Sequence, residues 1–229
     1  MGNSVDPLRH ASVFSPDAFG DKRIDIIGAG ATGSRIAIEI ARLGVTNMHV
    51  WDFDTIAEHN IANQAFSVGD VGRPKVEALA EHIRMLTGLE ITQHNEAVTG
   101  RTSLGRVVFL LTDTMSSRKE IFEGAIRYKP AIDLMIETRM GKDEGRVYTV
   151  RPTIPADIRR WESTLCEDEE ASESLCGART TIGATAALVT AHAVWAFLRF
   201  YRWQTGAEGQ DQPELEHMFY ANPPMTMVQ

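Results

Sequence analysis

The run Arg23-Ile-Asp-Ile-Ile-Gly-Ala-Gly-Ala-Thr-Gly-Ser34 constrains this chain more than any other stretch. An apolar strand runs into glycines at 28, 30 and 33, and a helical pattern follows at once. The first glycine of such a spacing permits a tight turn. The second lets backbone approach a phosphate, and the third lets the helix pack on the strand. Free N–H groups at the start of the helix then favour an anion. The expectation is a nucleotide site; the bland alternative is a tight turn without a ligand. Asp52, 19 residues beyond Gly33, ends the second strand. A dinucleotide dehydrogenase keeps its ribose-binding acid at that place. On the loop and Asp52 alone, NAD and ATP stay open.

Downstream, strand and helix patterns alternate. Strands are expected over 24–27, 48–51, 90–94, 107–111 and 131–136. Helices are expected over 35–43, 74–86 and 116–128. Such βαβ alternation implies a parallel sheet with right-handed crossovers and ligands at the strand C-termini. Past Thr138 the character changes. A strand over 146–151, antiparallel in one reading, leads to a polar stretch over 158–179. Its acidic run Glu167-Asp168-Glu169-Glu170 reads as a solvated, mobile loop. A long helix over 181–203 follows, then a linker over 206–213 and short strands over 216–220 and 225–228. The expected class is α/β, Rossmann-like and doubly wound: a mostly parallel sheet with helices on both faces and a small C-terminal helix and strand extension. Residues 1–22 read as an N-terminal arm with one short helix, 23–140 as the nucleotide-binding unit and 141–229 as an extension of the same domain.

Composition narrows the function classes. The 229 residues are 43% apolar and 24% charged, as in ordinary globular domains. A net charge of −8 argues against nucleic acid and anionic membrane as partners. The first 18 residues hold Asp6, Arg9 and Asp17 and lack the apolar core of a signal peptide, so a cytoplasmic location is expected. Residues 180–198 carry no formal charge, close to a spanning length. Their threonines, His192 and Gly183 favour a buried helix, with Ala184, Ala187 and Ala191 as a face for close packing against a sheet or a partner helix.

After Asp52 the chain departs from a dehydrogenase. It reads Trp51-Asp-Phe-Asp-Thr-Ile-Ala-Glu-His-Asn-Ile-Ala-Asn-Gln-Ala-Phe66, then Gly69-Asp-Val-Gly-Arg-Pro-Lys75. This resembles the ThiF/MoeB/HesA-type adenylyltransferases, the group that includes ubiquitin-activating enzymes. Asp52, Asp54, Asn60, Gln64, Gly72 and Lys75 occupy the family's motif positions, and Thr112-Asp-Thr-Met-Ser-Ser-Arg118 resembles its D-N-x-x-x-R. The match runs from about 23 to 140. The resemblance implies ATP and Mg²⁺, and adenylation of the C-terminal carboxylate of a small ubiquitin-like or sulfur-carrier protein, with pyrophosphate released. A homodimer is implied as well.

By that resemblance Gly28, Gly30 and Gly33 cradle the nucleotide, Asp52 bonds the ribose, and Asn60 and Gln64 position the phosphates. Lys75 contacts phosphate, against the reading of an exposed helix lysine. Asp113 holds Mg²⁺, against the reading of a helix N-cap. Asp54 reads equally as a ligand or a turn residue. The chain departs at Asn63, where the family has Arg before Gln64. The missing guanidinium opens the alternative of a nucleotide-binding but catalytically weakened partner or regulatory module. Arg9, reaching into a partner's site, and Arg73 are candidates to compensate. A third, remote reading is an NAD(P)-dependent oxidoreductase.

Cys166 and Cys176 form no C-x-x-C pair, so the two-CxxC structural zinc of many members is not expected. Cys176, and less so Cys166, is a candidate nucleophile, against the reading of an incidental thiol. His192 reads as a packed or interface histidine.

Overall fold

The sheet grows outward from two neighbouring strands whose side chains are all buried, residues 24–27 and 107–110. The computed structural model describes residues 2–168, 181–207, 209 and 212–228. Within them, β1 (Ile24–Ile27), β2 (Met48–Trp51), β3 (Thr92–His94), β4 (Val107–Leu110) and β5 (Leu134–Met140) run parallel. Then β6 (Glu144–Val150), β7 (Glu216–Ala221) and β8 (Pro224–Val228) continue the sheet antiparallel. The order is β3-β2-β1-β4-β5-β6-β7-β8, with Ile24 in register with Met48 on one side and Val107 on the other. The sheet is thus mixed, and the C-terminal strands extend it rather than standing apart.

Helices cover both faces. A short α1 (Pro16–Phe19), α2 (Gly33–Arg42), α3 (Lys75–Thr87) and the long α6 (Gly183–Gln204) pack on Ile24, Ile26, Phe109 and Ile136. The opposite face, Ile27, Val108, Leu110 and Met135, is covered by the chain from α4 (Met115–Ile121) through Ile126 and by α5 (Pro155–Glu162). Alternate strand residues therefore feed two separate cores, as the two-residue period of a strand requires.

Several elements differ from expectation. The expected helix over 116–128 is α-helical only through Ile121 and widens into a π turn over Phe122–Ile126. Gly124 there lies directly against Gly100, an approach any side chain would block. The fifth strand starts later and runs further, to Met140, because residues 129–132 close a turn and β6 folds back on its end. The polar stretch is not all loop: α5 forms behind Pro155 and buries Trp161 completely. Nor is the acidic run free at its start. Lys119 Nζ donates to Glu167 Oε1 at 2.7 Å, and Asp168 Oδ1 accepts the Met115 and Ser116 N–H groups at 2.6 and 3.2 Å. Glu169 and Glu170 lie outside the described residues.

The long helix is apolar and long enough to cross a membrane by composition, yet half of it is buried in this fold. The face it turns to the sheet is not the Ala184, Ala187 and Ala191 face. Ala184, Ala187 and Ala191 point outward, whereas Ala186, Val189, Ala193, Ala196 and Phe197 are buried. The phase is set by where α2, β5 and β6 present apolar surface, which the helix's own composition does not encode. The N-terminal arm is tied down rather than loose. Phe14 and Phe19 are buried against Phe197 and Tyr201, with ring centroids 4.8–6.1 Å apart.

Gly145 of β6 lies tightly packed beneath α6. A Cβ there would overlap the Phe219 ring and stand 2.7 Å from Val189 Cγ2. Gly145→Ala is expected to destabilise the fold by about 1–3 kcal/mol, as overpacking does, read as a lower urea midpoint at unchanged slope.

Candidate active site

β1 and β4 end side by side, and the chain leaves them in opposite directions, to α2 and β2 from one and to α4 and β5 from the other. Such a switch point leaves a crevice at the strand C-termini. Here it is a cleft of about 920 Å³, and the glycine loop lines it.

The three glycines do different work. Gly28 sits at φ +98°, and a Cβ on it would stand 2.7 Å from the Leu111 carbonyl oxygen. A Cβ on Gly33 would overlap the Gly28 carbonyl oxygen. Those two are demanded by the fold. Nothing lies within 4 Å of a Cβ on Gly30, which borders the open cleft. Its space is what an approaching phosphate needs.

Asp52 ends β2 and fastens this loop. Its Oδ2 accepts the Ala29 N–H at 2.6 Å and its Oδ1 accepts the Asp54 N–H at 2.8 Å. Burial pushes the carboxyl above its ordinary value, opposed by the Lys75 ammonium and these two N–H groups. Lys75 opens α3, is buried, and lies 3.9 Å from Asp52 Oδ2. Its Nζ donates to Asp54 Oδ2 at 2.6 Å. Asp54 is therefore the counter-ion of Lys75, and Lys75 is no exposed helix lysine.

Asn60 is buried and turns its Oδ1 to the Ala57 N–H at 2.9 Å, shaping the loop it lies on. Gln64 Oε1 and Thr112 Oγ1 are buried atoms of the cleft wall with no hydrogen-bond partner among the described residues. Orphaned acceptors of this kind suit a polar ligand. Asp113 is exposed on the same wall, and Thr114 caps α4 instead, its Oγ1 accepting the Ser117 N–H at 3.2 Å. The capping alternative for Asp113 is thereby removed. Among the described residues no cluster of three or more His, Cys, Asp or Glu could hold a metal ion. A single carboxylate with substrate phosphates is nonetheless the usual way Mg²⁺ is held.

Sequence reading named Arg118 as a motif position but missed the Glu137 that holds it. Arg118 donates from Nε to the Thr112 carbonyl at 2.9 Å and from Nη1 to Glu137 Oε1 at 2.5 Å. Glu137, fully buried in β5, also accepts from Trp161 Nε1 and Arg139 Nε, each at 3.1 Å. Arg139 in turn donates to the Thr164 carbonyl at 2.7 Å. The one signal was a Glu and an Arg two apart in an otherwise apolar strand pattern.

Other expected residues fall elsewhere. Asn63 faces the cleft but its Nδ2 is bonded to Thr181 Oγ1. Arg9 lies on the N-terminal arm beside the C-terminal end of α2, where His10 Nε2 meets the Leu43 carbonyl at 3.1 Å. It does not reach the cleft of its own chain. Arg73 is paired with Asp70 at 3.0 Å and Glu81 at 2.8 Å. Cys166 is partly exposed between α5 and Asp168, and Cys176 lies outside the described residues. His192 is packed, its ring stacked 4.4 Å from Phe219 and edge-on to His217 at 4.5 Å. Burial, with His217 and Arg199, holds its pKa down to about 4.

Two outcomes follow from these charges. Glu137→Gln removes the carboxylate that the buried Arg118 and Arg139 share and is expected to cost about 3–5 kcal/mol in urea unfolding. His192 binds its proton more readily unfolded than folded, so it withdraws stability as pH falls from about 6.5 towards its folded value of about 4. Replacing it with Gln is expected to flatten thermal stability across that window; an unchanged profile would show that the ring is not held neutral.

The ThiF family model matches residues 15–227. Over 155 residues the chain is 28% identical to the molybdopterin-synthase adenylyltransferase of Salmonella typhimurium, covering 65% of this chain and 62% of that protein. Over 127 residues it is 32% identical to the NEDD8-activating enzyme E1 catalytic subunit of Arabidopsis thaliana, covering 52% of this chain and 28% of that one. The ATP-dependent ubiquitin transferase-like protein Cap2 of Enterobacter hormaechei is 37% identical over 83 residues, 36% of this chain and 14% of Cap2. Among solved structures, E. coli MccB with AMPCPP and MccA superposes at a TM-score of 0.67, with 13% identity, over 93% of this chain and 65% of MccB. That likeness is one of fold. The chain spans less than two thirds of each of these proteins.

Proposed function

This chain belongs to the ThiF family, and we propose from that premise that it is an ATP-dependent adenylyltransferase. Its substrate in this reading is the C-terminal carboxylate of a small ubiquitin-like or sulfur-carrier protein. The observation that carries the reading is the glycine-loop cleft, with Lys75 buried between Asp52 and Asp54 and Asp113 free of capping duty. The relatives named as adenylyltransferases support it.

The reaction joins a carboxylate oxygen to the α-phosphorus. The bond to the bridging oxygen of the β-phosphate breaks, and pyrophosphate leaves with the electron pair. Both partners are anions, so cations must gather before they can meet. Lys75 is the ammonium at hand; trading Asp54 for phosphate would bring it into play. The loop N–H groups around Gly30 and the α2 N-terminus would receive phosphate oxygens. Asp52 keeps the loop in place and borders the ribose. Mg²⁺, which would be held by Asp113 and the phosphates, supplies further neutralisation of phosphate charge. Gln64 and Asn60 would fix the polar groups between these points. In this reading the chain works as a cytoplasmic homodimer, with Arg9 entering the partner's cleft.

One observation favours a second reading. Asn63 spends its side chain on Thr181 and brings no charge to the cleft. A nucleotide-binding module without turnover would bind ATP and release no pyrophosphate. ATP–pyrophosphate exchange with a candidate carrier, ideally one ending in Gly-Gly, separates the two. Exchange is expected, with Lys75→Ala slower by about a hundredfold, the scale of one lost charge-stabilising contact. ATP binding without exchange across carriers would favour the second reading, and NAD binding in place of ATP would sink both.

A further inference from the structure

The cleft is short of free positive charge for a triphosphate. Asp52, Asp54, Glu96, Asp113 and Glu120 all line it. Against them stand Lys75, already paired with Asp54, and Arg118, already committed to Glu137 and the Thr112 carbonyl. Arg73 is spent on Asp70 and Glu81.

Among the described residues, one guanidinium beside the cleft has no carboxylate partner. Arg35 is partly buried in the first turn of α2, immediately after the glycine loop. Its Nε donates to the Asn63 carbonyl at 3.4 Å, and it has no carboxylate partner among the described residues. Its Nη2 lies 3.6 Å from the place a Gly183 Cβ would take, at the first residue of α6. Neither α2 nor α6 has an acidic residue in its first turn, and neither N-cap side chain makes a capping hydrogen bond. Two positive helix ends and a cation thus converge on Asn63 and Thr181, both of which line the cleft. A cation in a first turn works against the dipole unless an anion joins it. The orphaned Gln64 Oε1 on the same wall is an acceptor, so it awaits a hydrogen-bond donor from the ligand, as a ribose hydroxyl would supply.

We propose that Arg35 is the guanidinium that contacts the β- and γ-phosphates of ATP in this chain, swinging from the Asn63 carbonyl as the nucleotide enters. The proposal rests on the nucleotide reading above and goes beyond it by naming the residue that takes up leaving-group charge. As the bond between the α-phosphorus and the bridging oxygen breaks, the added negative charge on pyrophosphate would fall on this side chain. A guanidinium fork suits that task.

The test is calorimetry on the full chain with Mg–ATP, Mg–pyrophosphate and AMP. Arg35→Gln is expected to weaken ATP and pyrophosphate binding about tenfold or more, as losing a charged hydrogen bond does, while AMP stays within about twofold. Equal ATP affinity in wild type and variant overturns the proposal. So does a parallel loss of AMP, which would mean that Arg35 only shapes the loop. Arg35→Met, which keeps the stem packed, is read by the same criterion if the Gln variant does not fold. A wild-type chain that binds AMP and ATP equally well overturns Arg35 and leaves the nucleotide site standing. One that binds neither brings down the nucleotide reading itself.

Discussion

The passage of Gly28 against the Leu111 carbonyl, where β1 and β4 end side by side, is the contact on which the rest of this molecule turns. It lets the chain leave β1 sharply enough for α2 to fall back on the sheet, with Gly33 closing on the Gly28 carbonyl. Because α2 leaves on one face and α4 on the other, the strand ends between them stay uncovered. The cleft is a product of that divergence. Asp52 then holds the turn from the neighbouring strand end through the Ala29 N–H.

The cleft's chemistry is an economy of buried charge. Asp52 is pushed towards protonation by burial and drawn back by Lys75 and two N–H groups. Lys75 is shared between two carboxylates, so any anion entering the cleft would have to compete with Asp54 for it. On the far wall, Glu137 binds Arg118, Arg139 and Trp161, tying the base of α4 to α5 and, through Arg139, to Thr164. A buried ion cluster of this type adds little net stability over an apolar core, yet removing one member is costly. What it provides here is a fixed position for the Thr112 carbonyl, and so for Asp113 beside it.

The parts legible in advance were those governed by local pattern. The first two strands match residue for residue, and α2 and α3 fall within two residues of expectation, since each is bounded by glycine or proline punctuation and one strong period. The grouping of Lys75, Asp52 and Asp54 was legible through spacing and resemblance. Less so was the direction in which α6 faces: its apolar residues surround most of the helix, and only the surfaces of α2, β5 and β6 select the buried side. The same holds for Trp161, which looked like part of a polar loop and proved to be a core residue on the second face of the sheet.

By itself, the amino-acid sequence determined the α/β alternation, the tight turn after β1 and several polar residues that line the cleft, because these depend on neighbours a few positions apart. Tertiary structure alone decided which charges are free. Along the chain Arg9 and Arg73 stood as the candidate cations, Arg118 stood only as a motif position, and Arg35 was not singled out. Folding placed carboxylates beside Arg73 and Arg118, carried Arg9 to the other end of α2, and left Arg35 next to the cleft. Ion pairing depends on distance in space, over a few ångströms, and that distance is set only when remote segments pack.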